Sequence, residues 1–179
     1  MYKRQVCILA DKEEIGSVGI SGMQSHYFEH FMEGLCDAQG VKLSDCFANS
    51  FCLSADVSNA FDPNWPETCD KRNNSQLNYG VAICKYTGSR GKGGASDASA
   101  EAMGHVRSTL DKAGVIWQIA TLGKVDQGGG GTVAAYMANR NIVTVDAGVP
   151  VLSMHAPLEL VSKLDCYETM LACKAIYLA

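Results

Sequence analysis

Tyr79-Gly80-Val81-Ala82-Ile83-Cys84-Lys85, then Ala100, Met103, Val106 and Leu110 at three- and four-residue steps, then Val115-Ile116-Trp117-Gln118-Ile119-Ala120-Thr121, is the part of the sequence that decides the fold. A short apolar run, a helical period and a second β-rich run make the pattern of a βαβ unit. The same alternation continues on both sides. Further candidate strands lie at 5–10, 50–55 and 142–145. Met23, Tyr27, Phe31 and Leu35 recur every four residues on one helical face. A last helix is expected over about 158–175, with Leu160, Leu164, Tyr167 and Leu171 on one side. Strands alternating with helical periods predict an α/β fold: a mixed, mostly parallel sheet flanked by helices. Its ligand site is expected in the crevice beyond the carboxyl ends of the strands.

The connections are glycine- and proline-marked. The stretch Asp62-Pro63-Asn64-Trp65-Pro66 through Asn78 reads as a surface loop. Gly88-Ser89-Arg90-Gly91-Lys92-Gly93-Gly94 and Gly128-Gly129-Gly130-Gly131-Thr132 each follow a candidate strand and precede a helical stretch. The first lacks the spacing of a Walker loop, and could cradle a carboxylate through backbone N–H groups instead. No linker or repeat divides the chain, so one domain is expected over residues 1–179.

Composition narrows the function. The chain has 179 residues, of which 47% are hydrophobic, with 15 Lys+Arg against 19 Asp+Glu and a formal net charge of −4. That balance offers no basic stripe to neutralise a phosphate backbone, so nucleic acid is not an expected partner. No apolar run reaches the roughly 18 residues of a membrane span, and a cytoplasmic protein without a membrane partner is expected. The eight cysteines show no C-x-x-C spacing and sit mostly in apolar runs, which predicts buried free thiols.

Polar chemistry gathers after the candidate strands. Asp11-Lys12-Glu13-Glu14 follows the first, Asp56 the second, Lys85 the third, and Ser153-Met154-His155 the apolar stretch Val149–Leu152. Adjacent Glu13 and Glu14 diverge on an extended backbone, so one could ligate a metal while the other takes a proton from water. Asp56 and His155 would add O and N ligands suited to zinc or manganese. Alternatively, Glu13-Glu14 is a solvated helix start, which composition by itself favours. His26 and His30 are spaced i,i+4 but lack the His-Glu-x-x-His order, so they read as exposed or half-buried side chains, and His105, beside an apolar helix face, reads as structural.

Several motifs taken together resemble a known family. They are Asp11-Lys12-Glu13-Glu14-Ile15-Gly16-Ser17, Ser54-Ala55-Asp56 followed by Pro63-Asn64, Gly93-Gly94-Ala95-Ser96-Asp97-Ala98, Gly123-Lys124-Val125-Asp126-Gln127 with Gly128–Thr132, and Val145-Asp146-Ala147-Gly148-Val149-Pro150 with Leu152-Ser153-Met154-His155. In this order they are similar to the M18 metallo-aminopeptidases, the aspartyl aminopeptidase relatives, from about Val6 to Tyr177.

The resemblance implies a zinc-exopeptidase fold of the phosphorylase/hydrolase-like kind and a two-zinc enzyme that removes N-terminal, often acidic, residues from peptides. It implies Glu13 as general base, Glu14, Asp56 and His155 as zinc ligands, and Lys85 as the cation lining the substrate pocket. Glu159 would lie behind His155. The two-metal reading reverses the composition-based preference for Glu13-Glu14. The family's His-x-Asp motif and bridging aspartate, and its separate oligomerisation domain, find no counterpart here. Asp126 and Asp146 belong to other motifs. The chain is therefore expected to be the C-terminal portion of an incomplete catalytic domain, holding one zinc or none and inactive alone, within an enzyme that is a homo-oligomer when complete. The alternative is a non-catalytic scaffold or self-associating fragment that uses open strand edges. A nucleotide or acidic-metabolite binder built on the glycine loops is a third reading.

Overall fold

A computed structural model describes residues 4–124 and 126–179. Met1–Lys3, at the basic N-terminus, and Val125, in the Gly123–Thr132 motif, lie outside the described residues. The strands are β1 (Phe51–Asn59), β2 (Val81–Cys84), β3 (Tyr86–Ser89), β4 (Gly93–Asp97), β5 (Trp117–Ala120), β6 (Val143–Leu152) and β7 (Leu160–Val161). The helices are α1 (Tyr27–Asp37), α2 (Leu43–Ala48), α3 (Ala100–Ala113), α4 (Ala134–Ala138) and α5 (Lys163–Leu178).

The main sheet runs β1-β6-β2-β5, with β7 against the end of β6. β1 pairs with β6, and β2 with β5, in parallel; β2 and β6 are antiparallel. This is the mixed, mostly parallel sheet flanked by helices that the sequence pattern predicts. β2 is fully buried, as befits a strand covered on both faces.

Alternation along the strands sorts the two faces. Val81, Ile83, Val145 and Ala147 pack against Ala102, Met103, Val106 and Leu110 of α3 and Ala172 of α5. On the other face Cys52 joins Met23, Phe28, Phe47, Met137 and Ile142 under α1, α2 and α4. α3 forms as expected: Ser99 Oγ accepts from Ala102 N at 3.1 Å, and Gly114 ends the helix at φ 69°.

Several expectations are corrected. Residues 5–10 form no strand; Gln5 Nε2 donates to Tyr177 O of α5 at 2.9 Å, and Val6–Leu9 line a hollow together with Tyr27, Phe28 and Phe31 of α1. The 142–145 strand continues to Leu152, and the first glycine segment is the turn of the β3-β4 hairpin rather than a strand-to-helix loop. In α1, Tyr27, Phe31 and Leu35 are exposed while Phe28 and Cys36 are buried, so this part of the stripe faces away from the core; Met23, the stripe's first residue, precedes the helix and is buried. All eight cysteines are free, but only Cys36, Cys69 and Cys84 are buried; Cys46, Cys52 and Cys173 are half-buried, and Cys7 and Cys166 are exposed. His105 packs edge-on against Phe51 at 5.3 Å, in keeping with a structural role, while His26 and His30 are exposed and His26 contacts Glu29.

Gly80 sits where β2 enters the sheet with φ 82°, and a Cβ there would lie 2.0 Å from Ile116 O. Its neighbour Val81 donates to that same carbonyl at 3.1 Å, so the two chains cannot part without losing the β2-β5 entry. Gly80→Ala is expected to lower stability by about 3 kcal/mol, from left-handed strain plus the backbone overlap. A urea titration with an unshifted midpoint would contradict it. No helix among the described residues is long and apolar enough to cross a membrane.

Candidate active site

Glu13 and Glu14 lie on a single 3-10 turn, Glu13–Ile15, flanked by left-handed Lys12 (φ 59°) and Gly16 (φ 90°). The next residue, Ser17, is also left-handed, and the backbone around it is fastened from several sides. Ser17 N donates to Lys12 O at 2.8 Å, and Gly16 O accepts from Gln24 Nε2 at 2.6 Å. Such a run of strained residues persists only where surrounding bonds over-determine it, and it is characteristic of working sites.

Asp56 lies in the second half of β1, and His155 follows β6 after left-handed Ser153; His155 itself has φ 67°. Glu159 accepts a hydrogen bond from the His155 backbone N–H and so fixes that turn. Because β1 and β6 are parallel, their carboxyl ends bring Asp56 and His155 to the same rim. Glu13, Glu14, Asp56 and His155 all line one cavity of about 640 Å³, together with Gly93, Gly94 and the Gly128–Gly131 run.

The geometry suits cation chemistry in part. Glu14 Oε2 and His155 Nδ1 are 3.4 Å apart. Two ligand atoms about 2.0–2.1 Å from one tetrahedral zinc are separated by about 3.4 Å, so this pair has the spacing of two ligands on one ion. Among the described residues, no three His, Cys, Asp or Glu side chains converge closely enough to hold a metal. Burial raises the Glu13 carboxyl above its ordinary range, and the charges of Asp56 and Glu14 push the same way, with His155 opposing. A carboxylate so disposed accepts a proton more readily than a free one.

Lys85 is placed elsewhere. β2 runs antiparallel to β6, so the residue after it leaves the sheet away from the rim that carries His155. Its ammonium pairs with Asp97 of β4, and it is not among the residues lining the cavity. Asp146, by contrast, is buried in the middle of β6, where burial raises its carboxyl above the usual range while Ser54 and Thr132 oppose the shift. Ser54 stands beside it without a well-formed bond, since Ser54 Oγ and Asp146 Oδ1 both lack a partner. Sequence reasoning gave Asp146 and Thr132 no task. The available signal was one carboxylate inside the apolar run Val143–Leu152, where an unpaired charge is rare.

Fold and cavity together define an α/β protein with an acidic, glycine-walled site at the carboxyl ends of a parallel strand pair. Residues 2–177 match the family model described as aminopeptidase I zinc metalloprotease (M18). The chain is 50% identical over 171 residues to the probable M18 family aminopeptidase 1 of Clostridium acetobutylicum, covering 93% of this chain and 37% of that protein. The M18 aminopeptidase structure from Thermotoga maritima superposes with a TM-score of 0.88 at 43% identity, over 93% of this chain and 38% of that one. The mApe1 dodecamer of S. cerevesiae shares the fold at 24% identity, with a TM-score of 0.76 over 94% of this chain and 36% of that one. The chain belongs to the M18 family, which is described as one of zinc metalloproteases. It spans less than half the length of the relatives it matches.

Proposed function

We propose that these residues form part of the catalytic site of a zinc aminopeptidase that removes N-terminal residues from peptides. The observation that carries this reading is the convergence of Glu13, Glu14, Asp56 and His155 on one cavity. Glu14, Asp56 and His155 would hold zinc, since carboxylate oxygen and imidazole nitrogen are its usual hard and borderline donors. The chemistry zinc supplies when bound is polarisation of a carbonyl and acidification of water. Glu13 takes the proton of the attacking water and passes it to the departing amine. Glu159 holds the His155 backbone in place. A role for Lys85 on an acidic substrate side chain requires its pair with Asp97 to open. Two zinc ions need more donors than this set offers, so the 179-residue chain alone is expected to bind zinc weakly and to turn over slowly. Assembly as a homo-oligomer, as in the yeast relative, belongs to the same proposal.

The test is zinc titration against a chromophoric chelator, paired with hydrolysis of aspartyl and leucyl anilides. Glu14→Ala is expected to weaken zinc binding by about 10²-fold, the scale of losing one charged ligand. Unchanged zinc affinity in that variant would remove Glu14 from the ligand set. Fast anilide turnover by the 179-residue chain would overturn its expected inactivity. The self-associating reading rests on β1, a nine-residue strand at the sheet edge. A monomeric mass at micromolar concentration would remove it.

A further inference from the structure

Asp146 sits where four segments meet. On β6 it faces away from α3 and α5, with Ser54 of β1 and Cys84 of β2 as its register partners. Its Oδ2 accepts from Thr132 Oγ1 at 2.7 Å and from Thr87 Oγ1 at 3.3 Å. Ser54, Thr87, Thr132 and Asp146 are each at most 6% exposed. A buried carboxylate is costly unless its hydrogen bonds recover the lost hydration, and an apolar side chain would fill the same place on this largely apolar strand more cheaply.

What the two threonines share is their attachment to glycines. Thr132 closes the run Gly128–Gly131, and Thr87 lies on β3 of the hairpin whose other strand begins Gly93-Gly94. Both glycine stretches line the cavity. They interlock through backbone alone: Arg90 N donates to Gly128 O at 2.8 Å, and a Cβ at Gly131 would lie 2.8 Å from Gly94 O. Residues 128–131 have no helix or strand of their own, and glycine has the largest conformational freedom to lose. A wall built this way keeps its position only if something outside it holds it.

We propose that Asp146 is a positioning residue, acting through Thr132 and Thr87 to set the glycine wall at the distance from Glu13 and Asp56 that a bound peptide needs. The proposal rests on the peptidase reading above for its kinetic consequence, and on the hydrogen bonds alone for its structural one. The clasp acts on substrate binding, because neither threonine belongs to the candidate zinc ligands.

Thr132→Val keeps the shape and removes the donor; Thr132→Ser keeps the donor. In the full polypeptide carrying this sequence, Thr132→Val is expected to raise KM for a peptide substrate about tenfold, the scale of one charge-assisted hydrogen bond, with kcat and zinc content near the parent values. Amide hydrogen exchange over residues 126–133 should quicken about tenfold while α5 keeps its protection. Thr132→Ser should restore both. Exchange at the parent rate in the valine variant would overturn the clasp, whatever the activity. So would equal loss of protection in α5, which marks a structural role only, or failure of serine to rescue. If exchange quickens while the parent protein cleaves no peptide, the clasp stands and the peptidase reading falls.

Discussion

Glu13→Gln is expected to lower kcat by about 10²–10⁴-fold while zinc stays bound. The amide keeps the size of the carboxylate and cannot take up a proton at the same atom. Glu13 shares its turn with Glu14, yet the two side chains have different surroundings. Glu13 is partly buried among Asp56, Glu14 and Asp146, whereas Glu14 is open to solvent and lies beside His155. The base should therefore be separable from the ligand. Glu13→Gln is expected to slow turnover by that factor with little change in zinc affinity, and Glu14→Ala to weaken zinc first. The measurement is single-turnover hydrolysis in the full polypeptide with zinc content determined on the same sample. A glutamine variant that turns over within a few-fold of its parent would remove Glu13 from the chemistry.

Asp165→Ala should cost about 3–5 kcal/mol of stability, the range for leaving buried partners of a charged group unpaired. Asp165 is fully buried on the first turn of α5, where Oδ2 accepts from Asn78 N and Oδ1 from Gly80 N, both at 2.8 Å. Those two N–H groups lie in the approach to β2 and lose their partners in the alanine variant. Glu168 makes the equivalent latch one turn on, accepting from Ile116 N at 2.8 Å before β5. The two carboxylates thus tie α5 to both strands of the parallel pair β2-β5. Asp165→Asn keeps only one acceptor oxygen and is expected to fall between parent and alanine in thermal melts. A melting temperature for the alanine variant within about 2 °C of the parent would contradict the latch.

Much of the fold was legible because it rests on local patterning. The apolar run at 81–84 and the period of Met103, Val106 and Leu110 each specify an element without reference to any other, although Ala100, read on the same face, is exposed and Ala102 is buried in its place. Capping by Ser99 and Gly114 is equally local. The four convergent site residues were legible by motif order: Glu13, Glu14 and His155 stand in turns, whereas Asp56, read as following its strand, lies within β1, which runs on to Asn59. The helix faces were less so. The apolar stripe Leu160, Leu164, Tyr167 and Leu171 implied a buried side for α5, but Leu164 and Tyr167 are exposed and the buried side carries Asp165, Glu168 and Ala172. Apolar periodicity has no means of marking a carboxylate whose partners are backbone N–H groups 52 to 87 residues away.

Sequence by itself thus determined the class of fold, the central β2-α3-β5 unit and which carboxylates and histidine to look at, because spacing and motif order along one chain decide these. Tertiary structure alone decided that β2 runs against β6. That direction separates Lys85 from the cavity and sets it against Asp97, since strand direction fixes where the following residue emerges. Burial of Asp146 between Ser54, Thr87 and Thr132 was likewise decided there, because hydrogen bonds among four segments exist only once the sheet has brought those segments together.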